Sequence, residues 1–407
     1  MMLLSSRVKG IQDSITMKLN EKAQALADEG QAVYNLSAGQ LPIKPPADFL
    51  EKIHHELNFL KSYQYSPVLG FPALRKKFMK HLAIQRKHSL EFLEEECDCI
   101  ISNGSKHSIY NALGALLDPG DEVVLFAPYW VSYPEMVKFW GGQIQVVRSN
   151  VYDAFVPAFE DLERVMTQRT KVIILNSPNN PSGVHYSDAW MKEFAEMLKR
   201  YPDVVVISDE VYSELNYFDP APTYFYQHDH ELLKRTIVVQ SISKSLASTG
   251  LRLGYAIAPK NAITAMSRIQ SQTTSGASSL IQRSLLDVDL LATENFLSPV
   301  KTHLRRNASL LREKFREGNL SHCWYQSLSA FYYLLDFSRA PMFERYSQTE
   351  GDHSVEITEE ILQKEGIVLV PGTDFGIPNS ARLSLTIEEV PFTEAITKLV
   401  KYLNTSK

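Results

Sequence analysis

Lys244 stands in the stretch Ser241-Ile242-Ser243-Lys244-Ser245, followed closely by Thr249-Gly250-Leu251-Arg252-Leu253-Gly254. The run before it, Thr236-Ile237-Val238-Val239-Gln240, is β-branched as a buried parallel strand is. Lys244 is therefore expected just past a strand's carboxyl end, where open α/β sheets bind ligands. A lysine there can form a Schiff base with a carbonyl, while Ser241, Ser243 and Arg252 supply the donors and positive charge that a phosphate demands. Pyridoxal phosphate carries both an aldehyde and a phosphate. Taken alone, the stretch reads equally well as a surface lysine in a serine-rich loop, because short motifs also arise by chance. The rest of the chain has to decide.

The elements that would position Lys244 are legible around it. The chain has 407 residues, beyond the size at which one core stops growing, so two domains are expected. With 44% hydrophobic and 22% charged residues and no low-complexity tract, it is globular in composition, not disordered or fibrous. Strands are expected at 98–102, 122–126, 143–147, 171–176, 204–208, 236–240 and 253–257, most of them a helix apart as βαβ units require. Val172-Ile173-Ile174-Leu175 and Val204-Val205-Val206-Ile207 lack two-residue alternation, as strands buried on both faces do. The expected fold is α/β, with a mostly parallel seven-stranded sheet covered by helices. Upstream, Leu19, Ala23 and Leu26 have helical spacing within 12–28, a short strand is expected at 33–37, and Gly39 and three prolines keep 38–46 irregular. A helix carrying Phe49, Ile53, Leu57 and Leu60 follows, then an aromatic loop containing Tyr65, then a helix from Pro72 to about Lys87. Downstream come helical residues 261–315 and strands at 331–337, 367–370 and 381–387, a smaller α+β unit.

Polar residues gather after successive strands, where a doubly wound sheet brings them together. Asn103-Gly104-Ser105-Lys106-His107 opens a helix whose free N–H groups, with the Ser105 hydroxyl, make an anion cradle, although such residues also serve simply as caps. Ala127-Pro128-Tyr129-Trp130 presents an aromatic that can stack on a planar ring or pack in a core. Asn176-Ser177-Pro178-Asn179-Asn180-Pro181-Ser182-Gly183 is a proline-fixed turn projecting an amide. Asp209 ends an all-apolar strand, where an acid needs a cation, and Tyr212 follows it. These residues meet the needs of pyridoxal chemistry. Asp209 would keep the pyridine nitrogen protonated, Asn180 and Tyr212 would bond the phenolate oxygen, and Lys244 would carry the cofactor and then move the substrate's proton.

Lys244 in its Ser-x-Ser-Lys-x5-Gly-x-Arg-x-Gly frame, Asn180-Pro181-Ser182-Gly183 and Asp209-x-x-Tyr212 resemble the class I and II aminotransferases of pyridoxal-phosphate fold type I, from about residue 36 to the C-terminus. Gly104-Ser105-Lys106 and Pro128-Tyr129-Trp130-Val131-Ser132-Tyr133-Pro134-Glu135 are similar to the bacterial aspartate aminotransferase subgroup within it. The resemblance implies that Trp130 stacks on the cofactor ring, that Gly104, Ser105, Ser241 and Arg252 take the phosphate, and that Tyr65 reaches the phosphate of a neighbouring subunit in a homodimer. It implies too that Arg382 clamps the substrate α-carboxylate in a site bordered by Gly39, Trp130 and Asn180, with Lys106 on a distal carboxylate. The substrates so implied are an amino acid, aspartate or glutamate, and a 2-oxo acid. Aromatic or neutral amino acids, or a lyase reaction on the same apparatus, are the alternatives. The implied division is 1–46 as part of a small domain, 47–285 as the large cofactor-binding domain and 286–407 as the rest of the small one. The sequence departs from the subgroup at Gln40-Leu41-Pro42-Ile43-Lys44, at Ser329 and at Asp374, near expected active-site loops.

Other classes are less well served. A net charge of −5 argues against a nucleic-acid surface. There is no Gly-x-Gly-x-x-Gly after the first expected sheet strand, no Walker lysine loop and no Gly-x-Ser-x-Gly, and too few residues precede the resemblance for a helix-turn-helix domain. No metal site is expected, since His228-Asp229-His230 offers no third ligand. Met1 to Gly10 does not read as a secretory leader, and no stretch reads as a membrane span. Cys97, Cys99 and Cys323 form an odd set without ligand spacing, which fits a reducing cytoplasm.

Overall fold

The computed structural model describes residues 5, 8, 15–320, 322 and 325–405. Cys323 and most of Met1 to Gly10, both used above, lie outside the described residues. The strands are β1 (Tyr34–Asn35), β2 (Cys97–Ser102), β3 (Glu122–Ala127), β4 (Gln143–Arg148), β5 (Thr170–Asn176), β6 (Val205–Asp209), β7 (Thr236–Ser241), β8 (Gly254–Pro259), β9 (Tyr332–Asp336), β10 (Ile367–Val368), β11 (Val370–Pro371) and β12 (Ser380–Ser384).

Seven of them form one sheet in the order β2-β8-β7-β6-β5-β3-β4. All neighbours are parallel except β8, which runs antiparallel to both β2 and β7. Alternate residues along each strand enter two different cores, as the two-residue period requires. Val124, Ile173, Val206 and Val238 pack with Phe78, Leu82, Phe194 and Leu198 on one face. Val123, Val172, Ile207 and Val239 pack with Ile109, Leu113, Val137 and Met266 on the other. Covered on both sides, these strands have no use for polar alternation.

Register then decides what meets at the sheet's edge. Asn176 pairs with Asp209 across β5 and β6, and Ser241 and Ser102 both pair with Gly254. Because β8 is antiparallel, its amino end sits beside the carboxyl ends of β7 and β2. Arg252 is thereby delivered to the edge that carries Lys244.

The second sheet is β11-β12-β9, antiparallel, and β1 pairs in parallel with β10. The β9 and β12 residues Tyr333, Leu335, Ala381 and Leu383 share a core with Leu311 and Phe315 of helix Thr293–Glu317 and with Ile396 and Leu399 of helix Glu389–Leu403. Leu36 and Leu41, far upstream, are buried in the same core.

The short strand expected at 33–37 is cut to Tyr34–Asn35, because Asn35 Oδ1 accepts from both Ser37 N at 3.0 Å and Ser37 Oγ at 2.7 Å and turns the chain away. The strand expected from 253 starts one residue later, after Arg252 adopts a left-handed φ of 52°.

Arg86 and Glu210 lock the helix Pro72–Arg86 to the end of β6. Arg86 Nη2 lies 2.7 Å from Glu210 Oε2, and Ser208 and Tyr226 hydroxyls each donate to Oε1 at 2.8 Å, with the carboxylate fully buried. Arg86→Met would strand that carboxylate and should cost about 3–5 kcal/mol. Urea unfolding at fixed protein concentration checks this, and adding Glu210→Gln should recover part of the loss.

Candidate active site

Lys244 lies in a single helical turn, Ile242–Ser245, capped by Ser241, whose Oγ accepts from Ser243 N at 3.0 Å. The Ser241 hydroxyl also lies 2.9 Å from Leu253 O, which ties β7 to the start of β8. Lys244 Nζ donates to Gly39 O, and it sits 5.3 Å from the Phe331 ring and 5.7 Å from the Tyr212 ring. Burial, then the charges of Arg382 and Arg252, push its pKa down to about 7.

Around it is a cavity of about 310 Å³. Its wall includes the predicted residues Gly39, Ser105, Lys106, Trp130, Asn180, Asp209, Tyr212, Ser241, Arg252 and Arg382, besides Lys244. Asp209, at the end of β6, is buried, and desolvation raises its pKa to about 6 against a hydrogen bond from Tyr133. Tyr212, also buried, has its phenol pushed far up by burial, so it stays a neutral donor, and its hydroxyl lies 3.4 Å from that of Tyr332. Asn176 organises two of these groups. Its Nδ2 donates to Asp209 O at 3.0 Å and its Oδ1 accepts from Asn180 N at 2.9 Å.

Arg382 comes from β12 and crosses to the large sheet. Nη1 donates to Asn180 Oδ1 at 3.0 Å, Nη2 to Ser37 O at 3.0 Å, and the guanidinium lies 4.3 Å over the Tyr332 ring. Its buried Nε has no partner among the described residues. Asn180, with its oxygen taken by Arg382, keeps its amide N–H groups for the cavity.

Gly104 caps helix Ser105–Leu116 at φ +89°. A Cβ there would stand 2.6 Å from Arg252 Nη2, and one on Gly254 would stand 2.3 Å from Ser105 N. Both positions need glycine for the helix N-terminus, Arg252 and β8 to converge. Lys106, in the helix's first turn, holds its amine 4.8 Å from the Trp130 ring. Partial desolvation, then Arg252, lower its pKa.

Tyr65 is placed elsewhere. It is 95% exposed and lines a separate surface concavity with Ser62 to Ser66 and Gly276 to Ser279. Sequence reasoning passed over Tyr133, Asn176, Thr249 and Tyr332, which also line the cavity. Asn176 ends a strand in register with Asp209, and Tyr133 falls one helical turn after Trp130, so both had a signal. Tyr332 had none, being one aromatic in the Phe331-Tyr332-Tyr333 run of a distant strand.

The model of the family aminotransferase class I and II matches residues 31–399. The chain belongs to that family. It is 34% identical over 98% of its length to a probable aspartate/prephenate aminotransferase of Thermus aquaticus, covering 99% of that protein. It is 33% identical to an aspartate/prephenate aminotransferase of Thermus thermophilus, with 98% of each chain covered. Among solved structures it is similar to Thermus thermophilus aspartate aminotransferase with maleate, at a TM-score of 0.87 and 31% identity, covering 99% of this chain and 100% of that one.

Pyridoxal phosphate is the family's cofactor, and the residues present fit it. The glycine-cleared cradle at Gly104 and Gly254 suits a phosphate beside Arg252, which among the described residues is bonded to the carbonyls of Thr249 (2.8 Å) and Asn103 (3.4 Å). Asp209 is buried with no basic side chain among its hydrogen-bond partners in the described residues, which suits a ring N–H.

An amine with a pKa near 7 is half neutral at physiological pH and ready to attack a carbonyl. The rate at which apoprotein captures pyridoxal phosphate on Lys244, fixed by borohydride and located by peptide mapping, should rise from about pH 5 and level off above about pH 8. An ordinary lysine would instead keep gaining about tenfold per unit toward its pKa near 10.4. Arg382→Met removes one depressing charge and should move the midpoint upward.

Proposed function

We propose that this aminotransferase acts on dicarboxylic substrates, taking aspartate or glutamate as amino donor and 2-oxoglutarate or oxaloacetate as acceptor. The observation that carries this reading is the cavity's charge: Lys106, Lys244, Arg252 and Arg382 line it against the single carboxylate of Asp209. Arg252 is accounted for by a phosphate and Lys244 by its chemistry. Two cations are left, enough for two substrate carboxylates. The aspartate named for the relatives above, and the maleate in one similar structure, lend support.

The residues take the following parts in this reading. Ser105, Ser241, Arg252 and the N–H groups that follow Gly104 hold the phosphate. Trp130 covers the ring, Asp209 bonds its nitrogen, and Asn180 and Tyr212 bond its phenolate oxygen. When bound, pyridoxal phosphate supplies an aldehyde that takes up the substrate amine and a ring that withdraws the electron pair left at the α-carbon. Arg382 grips the α-carboxylate, with Gly39 and Asn180 beside it, and Lys106 meets the distal carboxylate. Lys244, freed by the incoming amine and half neutral near pH 7, removes the proton from the substrate α-carbon.

We further assign Tyr65 to the site of a second copy in a homodimer, with 47–285 as the large domain and 1–46 with 286–407 as the small one. Exposure of Tyr65 on its own chain supports this, as do β1–β10 pairing and burial of Leu36 and Leu41 beside the C-terminal helices. The cytoplasm suits the protein, because the buried thiols of Cys97 and Cys99 are free.

Half-reactions test the substrate. Each amino acid is added to the pyridoxal form and conversion to the pyridoxamine form is followed spectrally. Lys106→Ala should lower the specificity constant for aspartate and glutamate about ten- to a hundredfold, the loss of a charge-assisted contact, while sparing alanine. Equal losses would make Lys106 a cofactor or structural residue, and a preference for aromatic or neutral amino acids would overturn the dicarboxylate reading.

Subunit mixing tests the assembly. A mixed dimer of Tyr65→Phe and Lys244→Ala chains should carry one doubly damaged site and one intact site, so it should recover activity that the Lys244→Ala homodimer lacks and have a phosphate site of wild-type affinity. An active monomer in sedimentation would contradict the assignment.

A further inference from the structure

Asp209 has one carboxylate oxygen firmly engaged. Tyr133, in the first turn of helix Ser132–Phe139 and only 1% exposed, donates its hydroxyl to Asp209 Oδ2 at 2.5 Å. Among the described residues the other oxygen, Oδ1, receives only a long 3.4 Å contact from Val211 N. Tyr133 also meets Trp130 edge to face, with ring centres 5.4 Å apart and planes at 84°. One short segment therefore sets both the aromatic wall of the cavity and the orientation of the acid on its floor.

We infer that Tyr133 is a positioning residue for the cofactor's ring nitrogen: by donating to Oδ2 it fixes the Asp209 side chain, keeps it ionised and leaves Oδ1 to accept the ring N–H. This inference rests on the pyridoxal phosphate assignment of the site. A carboxylate buried without donors takes a proton instead of keeping its charge, and a strong hydrogen bond from a neutral donor opposes that. Asp209 already has its pKa raised to about 6 with Tyr133 in place, so it has little margin to lose. Tyr133 itself is in no position to give up its proton, because burial and the adjacent carboxylate push its phenol far above its ordinary range. Without this donor Asp209 would be protonated near neutrality and could no longer accept the ring proton. The ring would then withdraw less charge, and the Lys244 nitrogen of the bound chromophore would hold its proton to higher pH.

The test is a visible-band pH titration of the holoenzyme. In Tyr133→Phe the midpoint of the colour change should rise by about one unit, a tenfold change in proton affinity. kcat should fall with little change in KM for the amino acid, since the lost contact does not touch the substrate. Incorporating 3-fluorotyrosine in place of Tyr133, a more acidic donor of nearly the same shape, should move the midpoint down. It also supplies the answer if Tyr133→Phe does not fold. In an Asp209→Asn background, Tyr133→Phe should shift the midpoint no further, because the acid through which it acts is gone. A midpoint that stays put in the variants, or that still shifts in the Asp209→Asn background, overturns the role of Tyr133. Absence of a cofactor band in the wild-type protein would instead overturn the pyridoxal phosphate assignment, so the two failures are distinguishable.

Discussion

The site depends on keeping charges buried without ion pairs. Lys244, Arg382 and Asp209 share one cavity, and among the described residues each meets carbonyls, amides or hydroxyls in place of an opposite charge. Such burial is unfavourable, and an unpaired group answers by shifting its pKa toward the neutral form. Lys244 falls to about 7 and Asp209 rises to about 6, shifts in opposite directions from one cause. A site relaxed by internal salt bridges would lose both its reactive amine and its capacity for anions. Glu210, next to Asp209, makes the contrast. It is buried too, but Arg86, Ser208 and Tyr226 satisfy it, and it faces away from this chemistry as part of the scaffold.

Rigid elements on every side hold that unfavourable arrangement. Asn176 fixes the backbones at Asp209 and Asn180 from a single side chain, made possible by the in-register pairing of β5 with β6. The reversed strand β8 closes the other side. Gly254 lets the helix at Ser105 approach, and the left-handed Arg252 turns its guanidinium toward Gly104. A side chain at either glycine would push cradle and cation apart, since a Cβ on Gly254 collides with backbone, which cannot swing away.

Much of this was legible in the sequence because strongly buried parallel strands have few ways to be read. Continuous apolar runs such as Val172 to Leu175 marked the strands, and the polar residue just past each run marked the site. What escaped was of two kinds. One was the ends of short strands: β1 and β10 lie within the strands expected at 33–37 and 367–370, but two-residue elements carry no periodicity to set their limits, and side-chain turns such as Asn35 with Ser37 override β-propensity. The other was residues that matter through contact distant in sequence, such as Tyr332, which carry no local mark of their partner. Arg382 escaped periodicity as well. It was found only through its resemblance to a family pattern, and its crossing to Asn180 and Ser37 is a product of the tertiary fold.

That crossing explains why the cavity belongs to neither core alone. Arg382, from the antiparallel sheet, donates to Asn180 at the end of the large sheet, while Lys244, from the large sheet, donates to Gly39 in the segment buried beside the small one. Thr249 adds a third contact, donating to Gln40 Oε1 at 3.2 Å. Arg382 and Lys244 are also expected to meet substrate and cofactor, so an incoming carboxylate would compete with Ser37 O and Asn180 for Arg382, and an aldehyde with Gly39 O for Lys244. Binding in that way would exchange contacts between the two cores for contacts through the ligand. The loop 40–44, where the sequence departs from the subgroup it resembles, adjoins Gly39 and carries Gln40, so it sits at those contacts. It is better placed to change how the cores meet around a substrate than to change the chemistry at Lys244.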